Sequence, residues 1–156
     1  MQDPIAFFLT WVTYGTWLPG DARGWIDYKG GWQEPDRSQE RNALFQMTEN
    51  ACQLSPEQRQ IVEKQVQETC NFRTWTLHAV NCRSNHIHVV VSAIDVKPEK
   101  IRNDLKSWTT RVLKKCSNTN RDKWWAERGS IRYLYDEDSL FNAVQYTLEA
   151  QERKRD

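Results

Sequence analysis

The sequence predicts an α+β domain built around one antiparallel sheet, and three observations carry that reading. Four stretches are rich in β-branched and aromatic residues. Two long stretches between them carry apolar residues at helical spacing. The resulting order is β, α, β, β, α, β, followed by a last helix. A chain of 156 residues supplies one core and is too short for two. Residues 1–156 therefore read as a single domain, with a Trp- and Gly-rich insertion at about 15–53.

The first strand is "AFFLTWVTY", Ala6 to Tyr14, and stops at Gly15. Residues 15–53 then show no clear periodicity and read as a long functional loop. The density of Trp17, Trp25, Tyr28 and Trp32 there argues against plain disorder. A helix begins at "SPEQRQIVEKQVQETC": Ser55 is an N-cap, Pro56 suits the first helical position, and Gln58 completes a capping box. Its apolar stripe is Ile61, Val62, Val66, Thr69 and Cys70. "RTWTLHAVNC" and "NHIHVVVSA" follow as strands, joined by a tight turn at "RSN". The second long helix starts near Pro98, with Ile101, Leu105, Trp108 and Val112 on one face at spacings of 4, 3 and 4. "GSIRYLYDE" is a fourth strand, and Asp136 to Arg153 a final helix. This β-α-β-β-α-β order is that of a ferredoxin-like antiparallel sheet with helices packed on one face.

The totals narrow the function classes. Lys and Arg number 22 against 21 Asp and Glu, so the net charge of +1 carries no global nucleic-acid signal. A mean hydropathy of −0.83 and the lack of a long apolar run exclude a membrane span. The start Met1-Gln2-Asp3-Pro4 shows no secretory signal, and Cys52, Cys70, Cys82 and Cys116 form no CxxC pair, so the expectation is a cytoplasmic protein with reduced thiols. Eight Trp, with five Tyr and five Phe, exceed what one core needs and suit stacking on bases.

The stretch "VNCRSNHIHVVVSA", residues 80–93, carries the chemistry. Along a strand His86, His88 and Val90 point one way, and Ile87, Val89 and Val91 the other. Two imidazoles so placed offer nitrogens to one point, as a divalent cation needs. His78, on the preceding strand, is a candidate third ligand, but the favoured reading is a hydrogen-bonded structural histidine. On the last helix, at 100° per residue, Leu140, Phe141, Val144 and Leu148 fall within about 100° of arc and form the expected core stripe. Tyr146 lies roughly opposite, with Asn142, Glu149 and Arg153. A cation near a free tyrosine and a basic helix points to phosphoryl chemistry, in which the metal polarises a phosphate oxygen and the tyrosine attacks to form a covalent intermediate.

The pieces "WTLHAVNCRSNHIHVVVSA", "DLKSWTTRVL" and "DEDSLFNAVQYTLEAQ", in this order over residues 74–151, together with the aromatic, Thr-containing start "AFFLTWVTYGTW", resemble the single-tyrosine HUH transposases. The likeness is to the REP-associated tyrosine transposases and their insertion-sequence relatives. It implies the HUH endonuclease fold, with His86 and His88 holding Mg²⁺ or Mn²⁺ and Tyr146 as nucleophile. It implies cutting of single-stranded DNA at hairpin-bearing ends, through a 5′-phosphotyrosine and a free 3′-OH, with strand transfer by reversal. A nucleoid-associated cytoplasmic location follows from such a partner. The family's amide, four residues past the tyrosine, is here Ala150. Glu149, one turn from Tyr146, is then the favoured third ligand, and Gln151 the alternative.

For phosphates the chain offers Lys106, Arg111, Lys114, Lys115 and Arg23; for stacking it offers Trp17, Trp25 or Trp32. Lys123 to Gly129, "KWWAERG", reads as part core and part lid. The missing amide also leaves open a domesticated hairpin-DNA-binding protein that has lost cleavage. A larger replication initiator or relaxase is a third reading, for which Tyr133 and Tyr135 are poorly placed. A monomer and a homodimer that exchanges its tyrosine helices are both compatible with the sequence.

Overall fold

The computed structural model describes residues 2–27 and 29–151, so Tyr28 and Arg153 lie outside the described residues. In chain order the elements are β1 (Ala6–Val12), β2 (Trp25–Asp27), β3 (Gly31–Gln33), α1 (Arg37–Gln46), α2 (Pro56–Arg73), β4 (Thr76–Cys82), β5 (His86–Ser92), α3 (Pro98–Cys116), β6 (Ser130–Leu134) and α4 (Glu137–Leu148). Strands β4, β5, β1 and β6 form one antiparallel sheet in that spatial order, and β2 and β3 form a separate hairpin. Taken without the insertion, this is the ferredoxin-like order expected.

The buried run of β5 follows from its place between β4 and β1, with both faces covered. On one face Phe7, Leu9, Trp11, Ile87, Val89 and Val91 pack against Val62, Val66 and Cys70 of α2 and Ile101, Leu105 and Leu113 of α3. The capping box of Ser55 and Gln58 starts α2 as its sequence requires. The two helices of the frame thus share one face. Helix α4 takes the other, where Ala143 packs with Ala6, Ala79, Val90 and Leu134. That second face is the one to which His86 and His88 point.

Three local expectations give way. Residues 15–53 fold into the β2–β3 hairpin and α1, tied down near the sheet by Arg23, which pairs with buried Asp21 at 2.8 Å and donates to Thr16 O at 2.7 Å. In α3 the buried positions run Ile101, Leu105, Thr109, Leu113, and Trp108 stays 40% exposed. Thr109 tolerates burial because its hydroxyl donates to Leu105 O at 2.7 Å and accepts from Trp125 Nε1 at 3.0 Å. The Lys123–Gly129 segment is core rather than lid at both tryptophans: Trp124 and Trp125 are buried, and hydrogen bonds from Tyr14 N to Trp124 O and from Ala126 N to Val12 O continue β1. Among the described residues no helix is long and apolar enough to cross a membrane.

Candidate active site

The site is assembled by one row of the sheet. Cross-strand register sets Asn81 of β4, His88 of β5, Thr10 of β1 and Ser130 of β6 side by side, and residues so paired share a face. His86 pairs with Val12 one step further along. The two imidazoles are 1% and 3% exposed, with ring centroids 4.9 Å apart. His86 Nδ1 donates to Asn85 Oδ1 at 2.8 Å, and His88 Nδ1 lies 2.8 Å from Thr10 Oγ1. Only the Asn85 contact fixes a direction, since an amide oxygen accepts; the Thr10 hydroxyl can donate or accept, and a proton on His88 Nδ1 as well would leave both lone pairs on Nε2. Contacts of this kind orient the ring plane of a metal-binding histidine.

Helix α4 brings Tyr146 to this pair by a rotation that the sequence reading does not anticipate. Its inward positions are Leu140, Ala143, Val144 and Thr147, whereas Phe141 and Leu148 are about 60% exposed. Small Ala143 and Thr147 are preferred to the larger Phe141 and Leu148 because the helix lies close over β4 and β5. The shift carries Tyr146 from the far side of the helix to the flank of its packed face. There its ring meets His88 edge-on at 5.4 Å and Phe8 at 5.8 Å, while the residue stays 57% exposed. The end of α4 is fastened by Asn81, whose Nδ2 donates to Thr147 O at 2.9 Å and to Ala150 O at 3.1 Å. The first is a carbonyl of the last helical turn, where Ala150 N also donates at 3.2 Å, and the second lies just beyond the C-cap.

His86, His88, Tyr146, Glu149, Ala150 and Gln151 line one cavity of about 310 Å³. The helix ends at Leu148, with Glu149 as its C-cap, so Gln151 reaches the cavity from the chain beyond it. Both candidate third ligands are therefore at the rim, although among the described residues no three His, Cys, Asp or Glu side chains converge on one point. Two imidazoles with an oxygen donor beside them could hold a divalent cation, and Glu149 and Gln151 are the candidates for a third ligand. A larger hollow of about 540 Å³ near Gly15 and Met47–Ala51 lacks such chemistry. The carboxylate there, Glu49, accepts from the Asp122 and Lys123 backbone, which holds its pKa below the ordinary value. His78 stands apart, hydrogen-bonded to Ser92 Oγ at 2.7 Å, and burial lowers its pKa.

The other residues singled out by the sequence lie elsewhere. Lys106, Arg111, Lys114 and Lys115 are on α3, across the sheet from the histidines. Lys106 donates to Ala126 O at 2.6 Å and Arg128 O at 2.9 Å, and its burial pushes the ammonium down to about 8. Arg111 stacks on Trp108 at 4.9 Å, and Lys114 approaches Asp122 at 3.7 Å; both are exposed, as is Lys115. In the insertion Arg23 lies over Trp17 at 4.5 Å, and the indole nitrogens of Trp17 and Trp25 donate to Gly24 O and Glu34 O. Tyr133 meets Phe7 on the α2–α3 face and stacks with Tyr135, so neither joins the histidines. Missed in the sequence are Thr10, Asn85 and Asn81. Only pairing register and the path of α4 assign them, apart from the hint that a Thr in an aromatic strand is an oddity.

The family described as "Transposase IS200 like" matches residues 44–133, more than half of the chain. The match contains His86 and His88 and ends before Tyr146. No curated protein matches the chain. A solved structure, that of a REP-associated tyrosine transposase bound to a REP hairpin, superposes with a TM-score of 0.57 at 12% identity. The likeness covers 94% of this chain but 66% of that protein, and it is a likeness of fold. The chain belongs to the IS200-like transposase family.

Proposed function

We propose that the protein nicks single-stranded DNA beside hairpin ends and transfers the cut strand, with Tyr146 as nucleophile and Mg²⁺ or Mn²⁺ held by His86, His88 and either Glu149 or Gln151. The observation that carries this reading is the seating of an exposed tyrosine ring 5.4 Å from His88, on the rim of the cavity that both histidines line. In this fold Tyr146 faces the histidines of its own chain, which supports action within one subunit.

A bound cation would supply Lewis-acid stabilisation of the charge on the phosphate. Imidazole nitrogens favour Mn²⁺ over the harder Mg²⁺. The chain's own residues do the rest. Asn85 and Thr10 hold the imidazole planes, Phe8 and His88 limit where the phenol ring can swing, and Asn81 anchors the helix that carries it. Attack by Tyr146 Oη forms a new P–O bond and breaks the bond to the 3′ oxygen, which takes a proton from water and leaves as a hydroxyl. The phenol proton passes to water at the exposed mouth. The 5′-phosphotyrosine keeps the phosphodiester energy, and attack by another 3′-OH reverses the step.

The test is trapping. A panel of labelled DNA hairpins with single-stranded tails, including any inverted repeat found beside the gene, is incubated with the protein and Mn²⁺ and resolved under denaturing conditions. A covalent adduct that Tyr146→Phe abolishes supports the proposal. Tight hairpin binding with no adduct at any metal concentration would instead favour a DNA-binding protein that has lost cleavage.

A further inference from the structure

Helix α4 does not cover the whole histidine face. It starts over the Ala6 and Leu134 end of β1 and β6, and its far end is tied to Asn81 of β4. Phe8, Thr10, Ser130 and Arg132 are left half-buried or exposed beside the Tyr146 flank of the helix. Ser130 continues the row of Thr10 and His88, and Arg132 pairs across the strands with Phe8, the residue on which Tyr146 rests. Neighbouring strands are about 4.8 Å apart, so Arg132 and Tyr146 flank Phe8 from two sides. The Arg132 guanidinium makes no ion pair or hydrogen bond with another described residue, whereas Arg23 and Lys106 are both spent on internal partners.

We infer that this uncovered strip of β1 and β6 is the track on which a single nucleic-acid strand lies, with Arg132 holding one of its phosphates next to the tyrosine. The inference rests on the proposed function for the nature of the polymer, and the contact itself is measured separately. A strip two β-strands wide, with an aromatic ring, two hydroxyls and a guanidinium that pairs with no other described residue, matches a chain of stacked bases and phosphates.

Fluorescence anisotropy with labelled dT20 and with a blunt 20-base-pair duplex tests this on the full chain, at several salt concentrations. Arg132→Ala is expected to weaken dT20 binding about tenfold and to lower the salt slope by ~0.7, the value of one phosphate contact on a single strand. Arg132→Lys should fall between, and Lys64→Ala, which removes a charge from the opposite face, should match the wild type. Unchanged dT20 affinity and slope in Arg132→Ala would overturn the inference, as would an equal loss on the duplex. If Tyr146→Phe still forms the adduct, the nucleophile assignment falls while the Arg132 contact stands on binding. If the adduct needs Tyr146 but Arg132→Ala binds dT20 like wild type, the track alone falls.

Discussion

Asn81→Ala removes the two hydrogen bonds that fix the tyrosine helix to the strand beside His88. The bonds, at 2.9 and 3.1 Å, reach the carbonyls of Thr147 and Ala150, one and four residues after Tyr146. Each is worth about 1 kcal/mol net, so the last turn loses about 2 kcal/mol of the force holding it over the sheet. If that energy is what keeps the phenol oxygen in line with the phosphate, the nicking rate falls about thirtyfold. The assay is single-turnover adduct formation at saturating DNA and Mn²⁺, with dT20 affinity measured in parallel. The rate should fall while affinity stays within about twofold, because Asn81 lies under the helix and not on the open strip. A wild-type rate in Asn81→Ala would refute the argument that this side chain positions the nucleophile. Equal losses of rate and affinity would reduce it to a residue the fold needs.

Two further outcomes follow from the geometry. Thr10→Val takes away the 2.8 Å partner of His88 Nδ1 and should weaken Mn²⁺ binding about tenfold by calorimetry, with little change in melting temperature; unchanged affinity would contradict the role of this contact in orienting the ring. Lys106 has a folded pKa of about 8 against an ordinary 10.5, chiefly because it is buried. Between those values the unfolded chain binds more protons, so stability rises with pH through this window and the burial penalty is full below it. The melting temperature of wild type relative to Lys106→Met should therefore climb from pH 8 to pH 10, and a flat or falling difference would contradict the assignment.

What the sequence made legible was whatever is encoded by period and cap. The four main strands, the capped start of α2 and the Pro98 start of α3 are local signals, and the structure keeps them. The histidine pair was legible because two residues at a spacing of two must share a strand face. The orientation of α4 was not. A helical wheel weighs Phe141 and Leu148 by hydrophobicity, but close packing on the sheet rewards the small Ala143 and Thr147, and no wheel contains that contact. The same gap explains α3, where Thr109 takes an inner position because Trp125, sixteen residues later, gives its hydroxyl a partner. Structure within the insertion was hidden because α1 buries none of its residues and so lacks an apolar stripe. The helix-borne cations looked like a phosphate face in the sequence, yet the register places α3 across the sheet from the histidines. Arg132, on a short edge strand, carries no sequence signal at all.

The central claim is that Tyr146 and the two histidines form one reaction centre, and peptide mapping of the trapped adduct addresses it most directly. Wild-type protein treated with the tailed hairpin and Mn²⁺ is digested with nuclease and protease and weighed by mass spectrometry. The account predicts a phosphonucleotide on the peptide containing Tyr146, lost when His86→Ala or His88→Ala replaces the wild type. A nucleotide on Tyr133 or Tyr135, or one on Tyr146 that survives both histidine substitutions, would contradict it.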